Sequence, residues 1–206
     1  MAGKRERNIL IGVGLVGLIG AGLIAPSRAR ENAETPGYDV LDRLDGGVVV
    51  RRYGARLVAE TDCPSGDDRD RAFRRLAGYI FGGNRDGGGN ASKIAMTVPV
   101  EVGPAATNAP QRMRFFLPAN LTRASAPTPD NPNVRIVEAE PETVAVYRFS
   151  GSARGDAAAK MRAKLLDVLA QSPWAPDGDP VLYLYDAPWV PLPLRRNEIA
   201  VRVKPR

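Results

Sequence analysis

The stretch VRIVEAEPETVAVYRFSG occupies residues 134–151, and its second part, VAVYRFSG, echoes VVVRRYGA at 48–55. The earlier copy lies within YDVLDRLDGGVVVRRYG at 38–54, where two alternating apolar runs flank Asp-Gly-Gly, a signal for chain reversal through positive φ. In the later stretch EPET, at 140–143, takes the place of that turn. Each stretch predicts a β-hairpin, so the same unit is read twice.

An amphipathic helix follows each predicted hairpin. In the first, Ala72, Phe73, Leu76, Ala77 and Ile80 recur at helical spacing, Ser65 with Asp68 resembles a capping box, and Gly82-Gly83 ends the run. In the second, Met161, Leu165, Val168 and Leu169 form the inner stripe, with Asp156 at the start and Pro173 beyond the end. Two further strand-like runs follow each helix, at 93–102 and 111–117 and then at 181–185 and 198–203. The order predicts an α+β domain with a pseudo-symmetric, duplicated strand-strand-helix-strand-strand unit. Its eight strands would form a twisted antiparallel sheet or distorted barrel flanked by two helices. PANLTRASAPTPDNPN at 118–133, rich in Pro and Asn, reads as the loop joining the halves.

A length of 206 residues suits one domain, at 31–206, behind a short separate element at 1–30. With 44% hydrophobic and 25% charged residues the body has the composition of a folded domain rather than a disordered one. Of the formal charge of +6, Lys4, Arg5, Arg7, Arg28 and Arg30 against Glu6 place +4 in the first thirty residues, leaving +2 for the rest. Without a basic run carrying interleaved aromatics, the body offers no nucleic-acid surface. KRER at 4–7 leads into an apolar run at 9–25, which is the pattern of an N-terminal membrane anchor or signal segment. By the positive-inside tendency the body would face outward from the cytoplasm, either anchored or exported after cleavage.

Histidine is absent, which removes the Ser/His/Asp and Cys/His constellations, His-ligated zinc and the commonest haem ligand. Cys63 stands alone and forms no intramolecular disulfide. Asp67, Asp68 and Asp70 read as acids at a helix start, and Glu138, Glu140 and Glu142, at alternate positions, as one solvated strand face. GGNRDGGGN at 82–90 lacks the Gly-Lys-Ser/Thr ending of a phosphate loop. With no nucleophile and base in a recognisable pattern, and no spaced metal ligands, the sequence predicts a binding protein with no catalytic and no metal residues. The outward side of the first helix is different in kind. Arg71, Arg74 and Arg75 stand near Gly78, whose missing side chain leaves a flat patch for a planar anion, with Tyr79, Phe81 and Trp189 available for stacking.

GGN at 82–84 after the first helix, KIAMTVPV at 93–100 and LRRNEIAV at 194–201, in that order, resemble the SOUL haem-binding protein family over about 38–204. The resemblance implies a two-halved fold and reversible binding of haem or another tetrapyrrole, as a carrier or buffer at the cell envelope. Its groove maps to Arg71, Arg74, Gly78 and Tyr79 and to APWVPLP at 187–193, with Trp189, Val190 and Leu192 covering the ring and basic residues near the propionates. With no histidine, an axial ligand from this chain would have to be Tyr79, Tyr53, Met96 or Cys63, and binding without iron ligation is the expectation. The same fold also accommodates a module for another amphipathic small molecule, or an envelope domain that binds a protein.

Overall fold

The computed structural model describes residues 33–64, 68–104 and 109–206; the expected anchor or signal at 1–30 and the proposed cap residue Ser65 lie outside them. Among the described residues no helix is long and apolar enough to cross a membrane. Tyr38–Leu44 (β1) and Val48–Tyr53 (β2) pair antiparallel, as expected, around a 3-10 turn at Asp45–Gly47 in which Gly46 and Gly47 have φ of 69° and 83°. Asp-Gly-Gly stands there because the left-handed region is open to glycine without a Cβ penalty.

A strand with no counterpart in the expected order follows at Arg56–Asp62 (β3), before helix α1 at Arg69–Ile80. The chain continues through Asn84–Arg85 (β4), Val100–Pro104 (β5), Gln111–Phe116 (β6), Thr128–Pro129 (β7), Arg135–Ala139 (β8) and Glu142–Phe149 (β9). Helix α2 at Gly155–Ala170 then precedes Trp174–Pro176 (β10), Val181–Leu184 (β11) and Asn197–Pro205 (β12). The α+β expectation holds: two helices accompany one curled antiparallel sheet in the shape of a half-barrel. The strand order is β1-β2-β9-β12-β11-β5-β6-β3-β8, with β10 added against β12. Outward from the central β5·β11 pair, the order runs β6-β3-β8 on one side and β12-β9-β2 on the other.

Two expectations are corrected. The second hairpin is absent as a pairing, because β8 lies against β3 while β9 lies between β2 and β12. Tyr53 faces Glu142 and Arg56 faces Ala139, so 48–60 and 135–147 form one long antiparallel ladder interrupted only at 54–55 and 140–141. The two echoing segments are therefore neighbours, with Val48 opposite Tyr147 and Val50 opposite Ala145. Within KIAMTVPV, only Val100 belongs to a strand. Pro99 has no N–H for a ladder, and the segment is tied down instead by the Val98 N–H to the Glu34 carbonyl at 2.9 Å and the Thr97 hydroxyl to the Phe116 carbonyl at 2.5 Å. Met96 packs, partly buried, against the core rather than lining a strand.

Each inner strand has two unlike faces, because alternate side chains point to opposite sides. One face carries Val48, Val50, Val102, Phe115, Leu182, Ile199 and Val201, and both helices cover it with Ala72, Leu76, Ile80, Leu165 and Leu169. The opposite face carries the smaller cluster of Tyr53, Val58, Phe116, Val144, Tyr183, Tyr185 and Ala200. It also bears the buried charges Arg51, Glu60, Glu101 and Glu198. The α1 stop is steric as well as conformational. A Cβ on Gly83 would lie 2.8 Å from the Gly78 carbonyl oxygen, and Gly83 donates its own N–H to that oxygen at 2.8 Å. Gly83→Ala is expected to cost about 1–3 kcal/mol through this overlap, read as a lowered midpoint in a urea titration; an unchanged midpoint would show that the turn relaxes freely.

Candidate functional site

Helix α1 presents two stripes. Ala72, Leu76, Tyr79 and Ile80 face the sheet and are buried. Arg71, Arg74, Gly78 and Phe81 follow one another at steps of three or four, so they share the outward side, and all four are exposed. Nothing lies within 4 Å of where a Gly78 Cβ would stand. From Arg71 to Gly78 the helix rises about 10 Å, comparable to the width of a flat macrocycle. Arg71 is lightly engaged, its guanidinium 3.4 Å from Asp68 with 72% of its side chain in solvent. A surface pair of that kind is worth little and leaves the charge free to meet a ligand. Phe73, expected in the inner stripe, is half-exposed and leans edge-on against Phe115 at 5.3 Å.

The loop before β12 carries the second apolar surface. Trp189 is 81% exposed, and Leu192 and Leu194 in the 3-10 turn Leu192–Leu194 are also exposed, whereas Val190 is buried. Arg195 braces the loop from beneath, its Nε donating to the Val190 carbonyl at 2.7 Å and its second terminal nitrogen to the Pro188 carbonyl. Residues 151–154 link loop and helix. Gly151 donates its N–H to the Leu192 carbonyl at 2.9 Å, Arg69 donates to the Ala153 carbonyl at 3.2 Å, and Arg154 pairs with Asp70 at 3.7 Å.

Of the seven predicted contact residues, Arg71, Arg74 and Gly78 share one stripe and Trp189 and Leu192 share one loop. Tyr79 and Val190 point inward. The Tyr79 hydroxyl donates to the Pro127 carbonyl at 2.9 Å, and burial pushes its pKa up to about 12. It is thus the support under Gly78 and not a ring contact. Phe81 after the helix and Leu194 in the loop add exposed apolar surface; Leu194, next to the Arg195-Arg196 pair that precedes β12, carries no periodic signal that sets it apart. The candidate axial ligands fare alike, since Tyr53, Cys63 and Tyr79 are buried and Met96 packs against the core. Burial also pushes the Cys63 thiol up, keeping it protonated and unreactive. Among the described residues no group of three or more His, Cys, Asp and Glu is placed to hold a metal ion.

The stripe offers guanidiniums, a bare glycine and a phenyl ring, the chemistry for a flat anionic partner, and none of the candidate iron ligands lies on it. This is an α+β domain with one sheet face packed on two helices. The chain belongs to the SOUL heme-binding protein family, whose model matches residues 33–202, and that family is one of binding proteins. No curated protein matches the chain. Among solved structures the EcmrR C-terminal domain is similar, with a TM-score of 0.57 at 11% identity over 82% of this chain and 99% of that one. A hydrolase from Listeria innocua is similar with a TM-score of 0.52 at 13% identity over 75% and 91% of the two chains. At these identities the likeness is one of fold.

Proposed function

We propose that this protein binds haem or a related tetrapyrrole reversibly on the outward stripe of α1, under the cover of the 187–194 loop, as a carrier or buffer at the cell envelope. The observation that supports this reading best is the exposed stripe Arg71, Arg74, Gly78 and Phe81, in a member of a haem-binding family. Arg71 and Arg74 meet the propionates, Gly78 lets the ring approach the helix backbone, and Trp189, Leu192 and Leu194 shield the exposed edge. The bound group supplies the chemistry of the cargo, its light absorption and iron; the chain holds and releases it and performs no reaction. The basic and apolar segment at 1–30 places the domain at the outer side of a cytoplasmic membrane, or is removed on export.

The test is an absorbance titration of the full chain with haem, beside the double variant Arg71→Ala/Arg74→Ala. Saturable one-to-one binding is expected, weakened about ten-fold in the variant, as two partly exposed charge contacts imply. Equal binding by both proteins would remove the stripe from the reading, and no saturable binding would remove the tetrapyrrole.

A further inference from the structure

Glu138, Glu140 and Glu142, which read in sequence as a solvated strand face, line a cavity of about 240 Å³ on the sheet face turned away from the helices. Its floor includes Tyr183, Val144, Val181 and Ala200, and Glu101 enters it from β5. The Glu101 side chain is only 10% exposed and Tyr183 only 2%. Tyr183 lines this space, and its hydroxyl makes no hydrogen bond among the described residues. Burial, with the nearby charges of Glu101 and Glu142, drives that phenol well above its ordinary range. Burial likewise pushes the Glu101 carboxyl upward, although Arg114 donates to it at 3.0 Å. The phenol lines the same space as the Glu101 and Glu142 carboxylates, each of which is held by an arginine, Arg114 and Arg56.

The charge around this space is negative. Asp179 joins the three glutamates and Glu101 in the lining, against Arg114 and Arg202. Arg114 is engaged by Glu60 and Glu101, and Glu142 is paired with Arg56. The geometry points to a second binding site, for a small organic cation that carries N–H donors, an amine or guanidine. Its charged end lies between Glu101, Glu142 and the Tyr183 oxygen, and its carbon part lies on Val144, Val181 and Ala200. The two carboxylates and the phenol oxygen are acceptors lining one cavity, so N–H groups satisfy them where a quaternary ammonium cannot. An anion such as a propionate would face an excess of carboxylates, which separates this site from the helix stripe.

Isothermal titration of the full chain with benzylamine and with agmatine tests the site. Tetramethylammonium serves as a cation without N–H groups, and acetyl-Gly-Arg-Gly-amide presents the same guanidinium on a peptide. Saturable one-to-one binding of benzylamine or agmatine is expected, at least ten-fold tighter than tetramethylammonium, and weakened about ten-fold by Glu101→Gln and three- to ten-fold by Tyr183→Phe. Peptide binding as tight as agmatine identifies an arginine side chain of another protein as the source, and binding of the free amines alone identifies a metabolite; both support the site. Tyr183→Phe removes a hydroxyl with no partner, so its unfolding midpoint should match the parent, and this variant decides the matter if Glu101→Gln does not fold. No saturable binding of either amine, or affinities unchanged by Tyr183→Phe in a folded protein, overturns the inference.

Discussion

Arg51→Ala should unfold with about 3–5 kcal/mol less stability than the parent, the range for stripping one partner from a buried charge pair. Glu198 is fully buried on the face away from the helices, and Arg51 holds it with two bonds, at 2.9 and 3.3 Å. Arg196 adds a bond at 2.7 Å, and the Tyr185 hydroxyl donates to the same carboxylate at 2.9 Å. Arg51 also lies over the Tyr38 ring at 4.5 Å, so truncation opens packing as well as charge. Because Arg196 remains, the loss should fall toward the lower end of the range. Urea unfolding followed by circular dichroism measures it, and a loss below about 1 kcal/mol would mean that Arg196 alone neutralises the carboxylate. Burial by itself would raise the Glu198 carboxyl, but Arg51 and Arg196 hold it below its ordinary value of 4.5. Glu60, buried among Arg114 and Arg112, is lowered in the same way. Such groups stabilise the fold above their unfolded pKa and lose that contribution as pH falls through and below 4.5. Glu101, raised by burial, acts in the opposite direction and offsets part of the loss. Glu198→Gln should therefore flatten the acid limb of a stability-against-pH curve relative to the parent, read by urea unfolding at several pH values.

Iron-free protoporphyrin should bind the full chain within about three-fold of haem, less than the tenfold that 1.4 kcal/mol of iron ligation would confer. The physical reason is where the potential ligands lie. Tyr53, Cys63 and Tyr79 face the interior, and their exposure is at most 3%. Met96 packs, partly buried, against the larger core cluster. The outward stripe offers guanidiniums, bare backbone and a phenyl ring, which recognise propionates and a flat macrocycle but give iron no donor. Parallel absorbance and fluorescence-quenching titrations decide this. If haem bound a hundred-fold tighter, with a Soret band indicating a tyrosinate or thioether ligand, one of these side chains would have to leave the core on binding.

The helices were legible because their signal is local. Leu76 and Ile80, or Leu165 and Leu169, repeat at the helical period whatever lies across from them, and each segment forms the expected helix with those residues buried. The strand β3 was not legible, since 57–60 are all buried and the run shows none of the alternation that marks a half-exposed strand. The reversal expected at 140–141 does not occur: β8 and β9 run on in one direction opposite β3 and β2, because EPET alone does not fix the ladder partner, which depends on chain more than seventy residues away, as with Arg56 and Ala139. At the candidate site the same distinction holds. Arg71, Arg74 and Gly78 could be placed on one stripe from spacing alone, but the adjacent Tyr79 is the inward residue of that turn, and its partner Pro127 lies in a distant loop.

By itself the sequence determined the helices, the basic outward stripe and the exclusion of histidine chemistry, because these follow from residue type and short-range periodicity. Only the tertiary structure decided which strands are neighbours, which aromatic and sulfur side chains are enclosed, and that Glu138, Glu140 and Glu142 share a cavity with Glu101 and Tyr183. Those outcomes rest on contacts between segments far apart in the chain, where burial of one sheet face against two helices sets the register and fixes what is left on the other.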